Sequence, residues 1–168
     1  MKKITIVLGT AREKNFSQKI SKIILDHLKS KDLDIQFIDV KNFLFGMTIA
    51  GSGEKEPVKS WADVISESEG IIFVCPEYNH SYPGELKILI DSLYDEYKGK
   101  VAGIVSVSAG QFAGVRVMDN LSSLLHIVNF KVATKGVNVA DVQGEIDVEK
   151  IKKHTDGMLE NMKSIFTS

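Results

Sequence analysis

The sequence predicts an α/β fold in which a five-stranded parallel sheet is covered by helices on both faces. Five short apolar runs rich in Ile and Val alternate with segments whose apolar residues recur at helical spacing. Several runs are apolar nearly throughout, which is typical of strands buried on both faces. The alternation of strand and helix favours parallel strands joined by right-handed crossovers. We therefore expect a three-layer sandwich with the strand order 2-1-3-4-5.

The bounds of each predicted element follow from these patterns. The strands are expected at Lys3–Leu8, Asp34–Val40, Gly70–Cys75, Val101–Val107 and Lys131–Val139. The helices are expected at about Ser17–Lys29, Val58–Ser68, Gly84–Tyr97, Gly114–Val128 and Asp147–Phe166. The segment Leu44–Pro57 has no clear period, so a mobile loop beside a site and a plain surface connection both fit it. Without a repeat or a linker, residues 1–168 are expected to form a single domain.

The composition excludes several classes of protein. Of 168 residues, 43% are hydrophobic and 26% are charged, as in ordinary globular proteins. The 21 basic and 22 acidic residues are spread along the chain, so we expect neither nucleic acid nor an anionic membrane as partner. No apolar stretch approaches the roughly 20 residues of a spanning helix, and the first apolar run ends at Gly9, too early for a signal peptide. A single cysteine, Cys75, precludes an internal disulfide, and a cytoplasmic location is expected.

The predicted topology indicates where a ligand binds. In an open parallel sheet, ligands bind outside the carboxyl ends of the strands, where the winding direction reverses. With the order 2-1-3-4-5, this point lies between strands one and three. The loops after strands one, three and four should therefore converge, and these are the loops of unusual composition.

The first of these loops has the chemistry of a phosphate site. It opens a predicted helix, whose free N–H groups and dipole favour an anion, and its polar side chains are Thr10, Arg12, Asn15 and Ser17. The motif G-x-G-x-x-G is missing, and so is the Gly-Lys-Ser/Thr of a Walker loop, so a terminal phosphate fits better than a pyrophosphate. The plain alternative is a helix N-cap formed by Asn15 or Ser17.

The second loop, within Cys75–Lys87, is longer and chemically denser than a plain βα connection. Two prolines, a glycine, two aromatics, an asparagine and a histidine lie within nine residues, whereas about 2–6 residues suffice for such a connection. This favours a surface that holds a flat ligand, although a rigid loop that caps a helix fits as well. His80 has no metal-like partners nearby and is interpreted as a solvated loop residue.

The third loop is built from small residues, which let the backbone approach a ligand plane closely. Ser108 and Gly110 are its candidate binding residues, and Gly110 can aim its N–H at a ring edge. A tight turn before a helix is the alternative.

The three loops carry the motifs Thr10-x-Arg12 with Asn15-Phe16-Ser17, Pro76-Glu77-Tyr78-Asn79-His80-Ser81 with Pro83-Gly84 and Leu86-Lys87, and Ser108-x-Gly110 with Phe112-x-Gly114. Together these motifs resemble the NAD(P)H-dependent FMN reductase family, which has the flavodoxin-like fold and includes quinone, azo-dye and chromate reductases. The first loop has Gly9-Thr10 where the family usually has Gly-Ser, and the third has Ala113-Gly114 where the family often has Gly-Gly.

The resemblance implies non-covalent FMN, with NADPH or NADH as co-substrate, in a homodimer or homotetramer whose flavin sites lie near the subunit interface. It places Ser108 and Gly110 near the polar edge of the isoalloxazine ring. The other residues that it implies as cofactor-binding are Thr10, Arg12, Asn15, Phe16 and Ser17 at the phosphate end, and Pro76, Glu77, Tyr78 and Asn79 against the ring.

A flavin carries the redox chemistry itself, so we expect no catalytic side chain and no metal. The hypothesis is a ping-pong reductase that passes electrons from a nicotinamide through FMN to a quinone, flavin or azo acceptor. Backbone N–H groups around Glu77–Asn79 and Gly110 are expected to stabilise charge on the reduced ring. One rival is a flavodoxin-like electron carrier without turnover, which the near-neutral charge disfavours; another is a flavin-free hydrolase or nucleotide-binding protein that uses Arg12 and His80. Cys75 is expected to be an inert small hydrophobe, and Trp61 to lie in the core or at an interface.

Overall fold

The computed structural model describes residues 3–49 and 56–167. The strands are β1 Lys3–Leu8, β2 Asp34–Asp39, β3 Gly70–Pro76, β4 Val101–Val107, β5 Lys131–Val132 and β6 Val137–Val139. The α-helices are α1 Phe16–Lys29, α2 Val58–Glu67, α3 Gly84–Asp91, α4 Val115–Ile127 and α5 Val148–Phe166. Two short 3₁₀ helices lie at Val40–Phe43 and Asp95–Tyr97.

The sheet is parallel and has the predicted order, β2-β1-β3-β4-β5, with β6 also paired to β4. Its register brings the strand ends level. Leu8, at the end of β1, pairs with Asp39 on one side and Val74 on the other. Val107, at the end of β4, pairs with Pro76 and with Val139. The carboxyl ends of five strands therefore lie along one edge of the sheet.

The fifth strand is not continuous, which corrects the predicted strand Lys131–Val139. After Ala133 the chain leaves β4, and the backbone N–H of Lys135 donates to Asn161 Oδ1 of α5 instead of to the sheet (3.1 Å). It returns at Gly136, where an added Cβ would lie 2.9 Å from the carbonyl oxygen of Ile104. The run of β-favouring residues predicted one strand, but a side chain of α5 competes for its backbone.

The third helix is shorter than predicted, since Gly84–Tyr97 ends its α-helical part at Asp91. The hydroxyl of Ser92 donates to the carbonyl of Leu89 (2.7 Å), and the chain then turns into the 3₁₀ helix. This turn buries Tyr97, whose ring stacks on Phe130 with 4.6 Å between centroids. Packing of one aromatic ring thus overrides the helical period.

The remaining predicted bounds agree with the structure within about a residue. The strand predicted as Asp34–Val40 ends at Asp39, because the Asp39 carboxylate accepts from the N–H of Lys41 and caps the following 3₁₀ helix (3.0 Å). Residues 44–49 have no regular secondary structure. The rest of the predicted loop, residues 50–55, lies outside the described residues.

The core has one half on each face of the sheet. Helices α1 and α5 cover one face, where Met158 and Met162 pack over Gly103 of β4. Helices α2, α3 and α4 cover the other. This arrangement confirms the predicted three layers. Within residues 3–49 and 56–167, no helix has both the length and the apolar composition that crossing a membrane requires.

The structure decides the position of Trp61, which the sequence left open. Its side chain is fully buried in the face of α2–α4, and its indole N–H donates to the hydroxyl of Tyr97 (2.8 Å). That hydroxyl donates in turn to the carbonyl of Ile90 (3.1 Å). The ring of Phe43 meets the indole edge-on at 5.7 Å. Trp61 is a core residue, with its one polar atom satisfied.

Replacing Trp61 by Phe should lower the free energy of unfolding by about 1–3 kcal/mol, because the bond to Tyr97 is lost and the smaller ring leaves a gap. Urea unfolding followed by circular dichroism measures this change. The matched control is Phe166→Leu, a side chain at the end of α5 that is 37% exposed and should change little. Equal stability of Trp61→Phe and the wild type would contradict the assignment of Trp61 to the core.

Candidate functional site

Four loops meet at the carboxyl edge of the sheet, and the sheet's hydrogen bonding continues into three of them. The first N–H of each donates to a carbonyl at or near the end of the neighbouring strand: Gly9 to Val74, Glu77 to Val107 and Ser108 to Val139, each at 2.9 Å. The loops enclose a cavity of about 280 Å³. The lining residues are Arg12, Lys14, Asn15, Phe16, Ser17, Pro76, Glu77, Tyr78, Val107, Ser108, Ala109, Val142 and Gln143.

The first loop presents the start of α1 to this cavity. Asn15 is the N-cap, and its Oδ1 accepts from the N–H of Gln18 (2.7 Å) while its Nδ2 donates to the carbonyl of Arg12 (2.6 Å). The predicted capping role is therefore observed, and it leaves one amide hydrogen of Asn15 unused. Capping and anion binding are compatible at this helix end, because the first N–H groups of a helix have no intrahelical partner.

Ser17 is the most telling residue of the cavity. Its side chain is 1% exposed and lines the cavity, yet its hydroxyl has no hydrogen-bond partner within the described residues. A buried hydroxyl without a partner costs roughly 1–3 kcal/mol. This cost is recovered when a ligand oxygen accepts from Ser17, so the position is suited to an anion.

Arg12 lies close to the same end of the cavity and is held by the second loop. Its guanidinium carbon is 5.7 Å from the ring centroid of Tyr78, a cation–π contact. Lys14 also lines the cavity, so two cations flank the beginning of α1. Positive charge, a helix N-terminus and an unpaired hydroxyl therefore coincide.

Thr10 contacts its own protein rather than the cavity. It is 1% exposed and does not line the 280 Å³ cavity, although it lines an adjoining one of about 290 Å³. Its hydroxyl is bonded to Glu85 and Tyr78. The predicted contact between Thr10 and a phosphate stays a prediction.

The second loop is a tight hairpin whose tip points away from the cavity. Tyr78 and Ser81 exchange both backbone hydrogen bonds, at 2.9 and 3.0 Å. The two residues between them have positive φ, +49° at Asn79 and +66° at His80, as a two-residue turn of the primed type requires. Both tip side chains are exposed and absent from the cavity lining, whereas Pro76, Glu77 and Tyr78 form its wall.

Glu77 links the second loop to helix α4. Its Oε2 accepts from the backbone N–H of Val117, in the first turn of that helix (3.2 Å). The N-cap of α4 is Gly114, which has no side chain to do this. A carboxylate at a helix N-terminus also interacts favourably with the dipole. Glu77 thus caps a helix 40 residues further along the chain.

A buried polar network shapes the third loop. The hydroxyl of Ser106 donates to the carbonyl of Ala113 (2.7 Å) and accepts from the side-chain amide of Asn138 on β6 (2.8 Å). Gly114, at φ +70°, lies so close that an added Cβ would be 3.0 Å from Ser106 Cβ. Both a positive φ and a close approach explain why glycine occupies this position.

Three of the backbone donors expected at the ring edge already have partners within the protein, and their contact with the ring stays a prediction. The N–H of Gly110 donates to the hydroxyl of Ser108 (3.1 Å), and Gly110 does not line the cavity. The N–H groups of Glu77 and Tyr78 donate to the carbonyls of Val107 and Ser81. These three donors are engaged within the protein, since they stabilise the loops themselves.

Strained backbone is concentrated around the site. Of the six non-glycine residues with positive φ among the described residues, five lie in the loops at this edge of the sheet. Such conformations cost about 1–3 kcal/mol each and persist only where the surroundings hold them. The five are Lys14, Asn79, His80, Ala113 and Asp141.

Sequence reasoning missed the fourth loop, which follows β6. Val142 and Gln143 line the cavity, and the N–H of Val142 donates to the carbonyl of Ser108 (3.3 Å). A usable signal was present, because every loop after a parallel strand lies at the same edge of the sheet. Val107 and Ala109 were also missed, since neither has a distinctive side chain, and Lys14 was missed although its charge beside the start of α1 was a usable signal.

The titratable groups show no arrangement for acid–base or metal chemistry. Burial raises the pKa of the Cys75 thiol well above its usual range, so it stays protonated and, as expected, unreactive. Within the described ranges, no group of three or more His, Cys, Asp or Glu residues could hold a metal ion.

One family of known proteins matches most of the chain. The description of that family is NADPH-dependent FMN reductase, and the match covers residues 2–144. The chain belongs to this family. The resemblance found in the three loops is thereby confirmed, and with it the enzyme class, an oxidoreductase, and the cofactors, FMN with a reduced nicotinamide.

Individual relatives of this reductase agree with the assignment. The NAD(P)H-dependent FMN reductase LOT6 of Saccharomyces cerevisiae is 28% identical and covers 96% of this chain and 95% of its own. A quinone reductase of Pseudomonas putida is 31% identical over 66% of this chain and 62% of its own. Among solved structures, the flavoenzyme NAD(P)H:(acceptor) oxidoreductase FerB of Paracoccus denitrificans superposes with a TM-score of 0.77, at 18% identity and 98% coverage of both chains. This last likeness confirms the flavodoxin-like fold.

The residues of the reductase's cavity fit FMN. The unpaired Ser17 hydroxyl at the start of α1, beside Arg12 and Lys14, matches a phosphate. Elsewhere the lining includes Pro76, Tyr78 and residues 107–109, which offer apolar and small groups to a flat ring.

Proposed function

We propose that this protein is an FMN-containing reductase that uses NADPH or NADH to reduce a small acceptor. The observation that carries the proposal is Ser17, a buried hydroxyl without a partner at a helix N-terminus, in a cavity walled by the second and third loops. Arg12, Asn15 and Ser17, together with the first N–H groups of α1, bind the phosphate. Thr10 and Phe16 support this end of the cofactor from within the loop.

The ring of the cofactor lies against Pro76, Glu77 and Tyr78, with Ser108 near its polar edge. Asn79 and Gly110 act indirectly, through the hairpin turn and through the bond from Gly110 to Ser108. Because the loops are already bonded to one another, they need little rearrangement to receive the ring. Preorganised contacts of this kind reduce the entropic cost of binding.

The chemistry that bound FMN supplies is acceptance of a hydride from the nicotinamide and then donation of electrons to a quinone, flavin or azo compound, which makes a ping-pong sequence. The protein's own part is to bind and orient. Pro76 and Tyr78 present uncharged side chains to the ring, while the Glu77 carboxylate accepts from the N–H of Val117, and no side chain is needed as nucleophile or base. A quinone is the acceptor best supported, because a relative is named quinone reductase.

The test of this function is a visible absorption spectrum of the purified protein, before and after addition of FMN and desalting, and then after anaerobic NADPH or NADH. Retained flavin that bleaches with the nicotinamide is expected. Flavin that is retained but not bleached would favour an electron carrier, and a protein that retains no flavin would overturn the proposal.

Steady-state rates with a quinone should give parallel double-reciprocal lines when NADPH is varied at several quinone concentrations. Parallel lines are expected because the nicotinamide leaves before the acceptor binds. Intersecting lines would contradict the ping-pong sequence while leaving the reductase activity itself in place.

Replacement of Arg12 or Ser17 by Ala should weaken FMN binding by about tenfold or more, since each removes a hydrogen bond to a charged group. Quenching of FMN fluorescence measures the dissociation constant. The free energy of unfolding should change little for Arg12→Ala, because the side chain is exposed. Lys19→Ala, on the exposed side of α1, is the control, and unchanged FMN affinity in both site variants would refute the phosphate assignment.

We further propose that the reductase is a homodimer built on the face of α3 and α4. Ile127 of α4 is 68% exposed, and Tyr94, just after α3, is 53% exposed. A depression of about 940 Å³ lies between α4 and the second loop and includes Leu124 and Tyr82. A second copy of the chain would cover these apolar groups, and the dimer surface would adjoin the hairpin of the site.

Size-exclusion chromatography with light scattering should give twice the chain mass of 18.6 kDa for the wild type and a shift towards the monomer for Ile127→Glu. A charge buried at an interface without a partner disfavours association. Phe166→Glu is the matched control, because Phe166 is exposed at the end of α5 on the opposite face. A monomeric wild type would refute the dimer.

A further inference from the structure

The carboxylate of Glu85 links helix α3 to the first loop of the site, and Glu85 is not one of the motif residues that carry the family resemblance. Glu85, in the first turn of α3, accepts two hydrogen bonds at Oε1 from residues of the first loop. The donors are the backbone N–H of Ala11 (2.8 Å) and the hydroxyl of Thr10 (3.1 Å). These bonds join positions 74 and 75 residues apart along the chain.

The hydroxyl of Thr10 already makes as many hydrogen bonds as it can. A hydroxyl has one hydrogen to donate and two lone pairs to accept with. Glu85 can only accept, so it receives the hydrogen. The backbone N–H of Arg12 donates to the hydroxyl oxygen of Thr10 (3.2 Å). Because the hydrogen of Thr10 goes to Glu85, the Tyr78 hydroxyl must also donate to this oxygen (3.2 Å). Thr10 has no hydrogen left for a phosphate oxygen.

The same carboxylate takes up a backbone donor of the first loop. The N–H of Ala11 is one of the loop's groups that a bound anion would otherwise attract. The Thr10 hydroxyl and the Ala11 N–H therefore both donate to the Glu85 carboxylate. A phosphate is therefore displaced along the loop, towards Arg12, Asn15 and the unpaired hydroxyl of Ser17.

We propose that Glu85 is a positioning residue for the phosphate end of the cofactor site. It fixes the first loop to α3, the helix that follows the ring-binding loop, and so sets the spacing between the two ends of the site. Thr10 acts through Glu85 and not by direct contact. This inference rests on the proposed function, because it assumes that the phosphate of FMN binds the first loop.

The experiment compares the binding of FMN with that of riboflavin, which has the ring but no phosphate. In Glu85→Ala the dissociation constant of FMN should rise by about tenfold, the effect of losing hydrogen bonds to a charged group. Riboflavin affinity should stay within about twofold, because the ring wall is unchanged. In Glu85→Gln, the amide oxygen still accepts from Ala11 and Thr10, so FMN affinity should stay within about threefold of the wild type.

Asp91→Ala is the matched control, because it removes another carboxylate of α3 whose ion pair is with Lys87 on the same helix. It should leave the affinities for FMN and riboflavin as in the wild type. Hydrogen exchange of the Ala11 amide in the flavin-free protein gives a second readout. Exchange should be faster in Glu85→Ala than in the wild type or Glu85→Gln.

A double variant tests the indirect role of Thr10. Thr10→Val should weaken FMN less in the Glu85→Ala background than in the wild type, because the link to Glu85 is already lost there, whereas the bonds from the Arg12 N–H and the Tyr78 hydroxyl are lost in both backgrounds. Additive losses would show that Thr10 acts independently of Glu85 and would overturn the inference, as would unchanged or higher FMN affinity in Glu85→Ala or an equal loss for FMN and riboflavin. If Glu85→Ala does not fold, Glu85→Leu, which also lacks the acceptor oxygen but keeps more of the side chain, replaces it, and the same criteria apply. A wild type that binds no FMN refutes the proposed function instead.

Discussion

The parallel register of the sheet is the constraint on which the rest of the structure depends. Because β1 pairs with β2 and β3 in register, and β3, β4 and β6 end level, four loops begin at one edge. The register even continues past the strands, as the first N–H of three loops bonds to the neighbouring strand. A shift of register by one residue would turn the buried side chains to the opposite face and separate the loops.

Polar contacts between these four loops and their neighbours define the shape of the cavity at this edge. Glu85 holds the first loop, Glu77 caps α4 from the second, and Ser106 with Asn138 shapes the third. Each is a long-range hydrogen bond, and two of the three use a carboxylate, for which such bonds are stronger. Together they offset the cost of five residues with positive φ. Two buried hydroxyls among the described residues have no partner, Ser17 and Ser21, and of these Ser17 lines the cavity.

The chemistry of the family explains what the site lacks. An enzyme whose cofactor carries out the redox step needs side chains that bind and orient, so no nucleophile, base or metal ligands are required. Among the described residues, the carboxylates of Glu77 and Glu85 accept from backbone groups of neighbouring elements, and burial keeps the thiol of Cys75 protonated. Membership in the NADPH-dependent FMN reductase family and the geometry of the loops thus give one consistent account.

The sequence alone determined the layers, the strand order, the three converging loops and the family. Hydrophobic periodicity and short motifs are local features of the sequence, so they can be recognised without knowing the tertiary contacts. Tertiary structure decided the rest. Asn161 breaks the fifth strand, Tyr97 bends the end of α3, and Val142 and Gln143 bring a fourth loop to the cavity. Thr10 is predicted to contact the phosphate from its place in the first loop, and only the folded structure shows that its hydroxyl donates to Glu85, 75 residues away. Which partner a polar group bonds depends on distances that exist only after the chain has folded, so no local pattern could assign it.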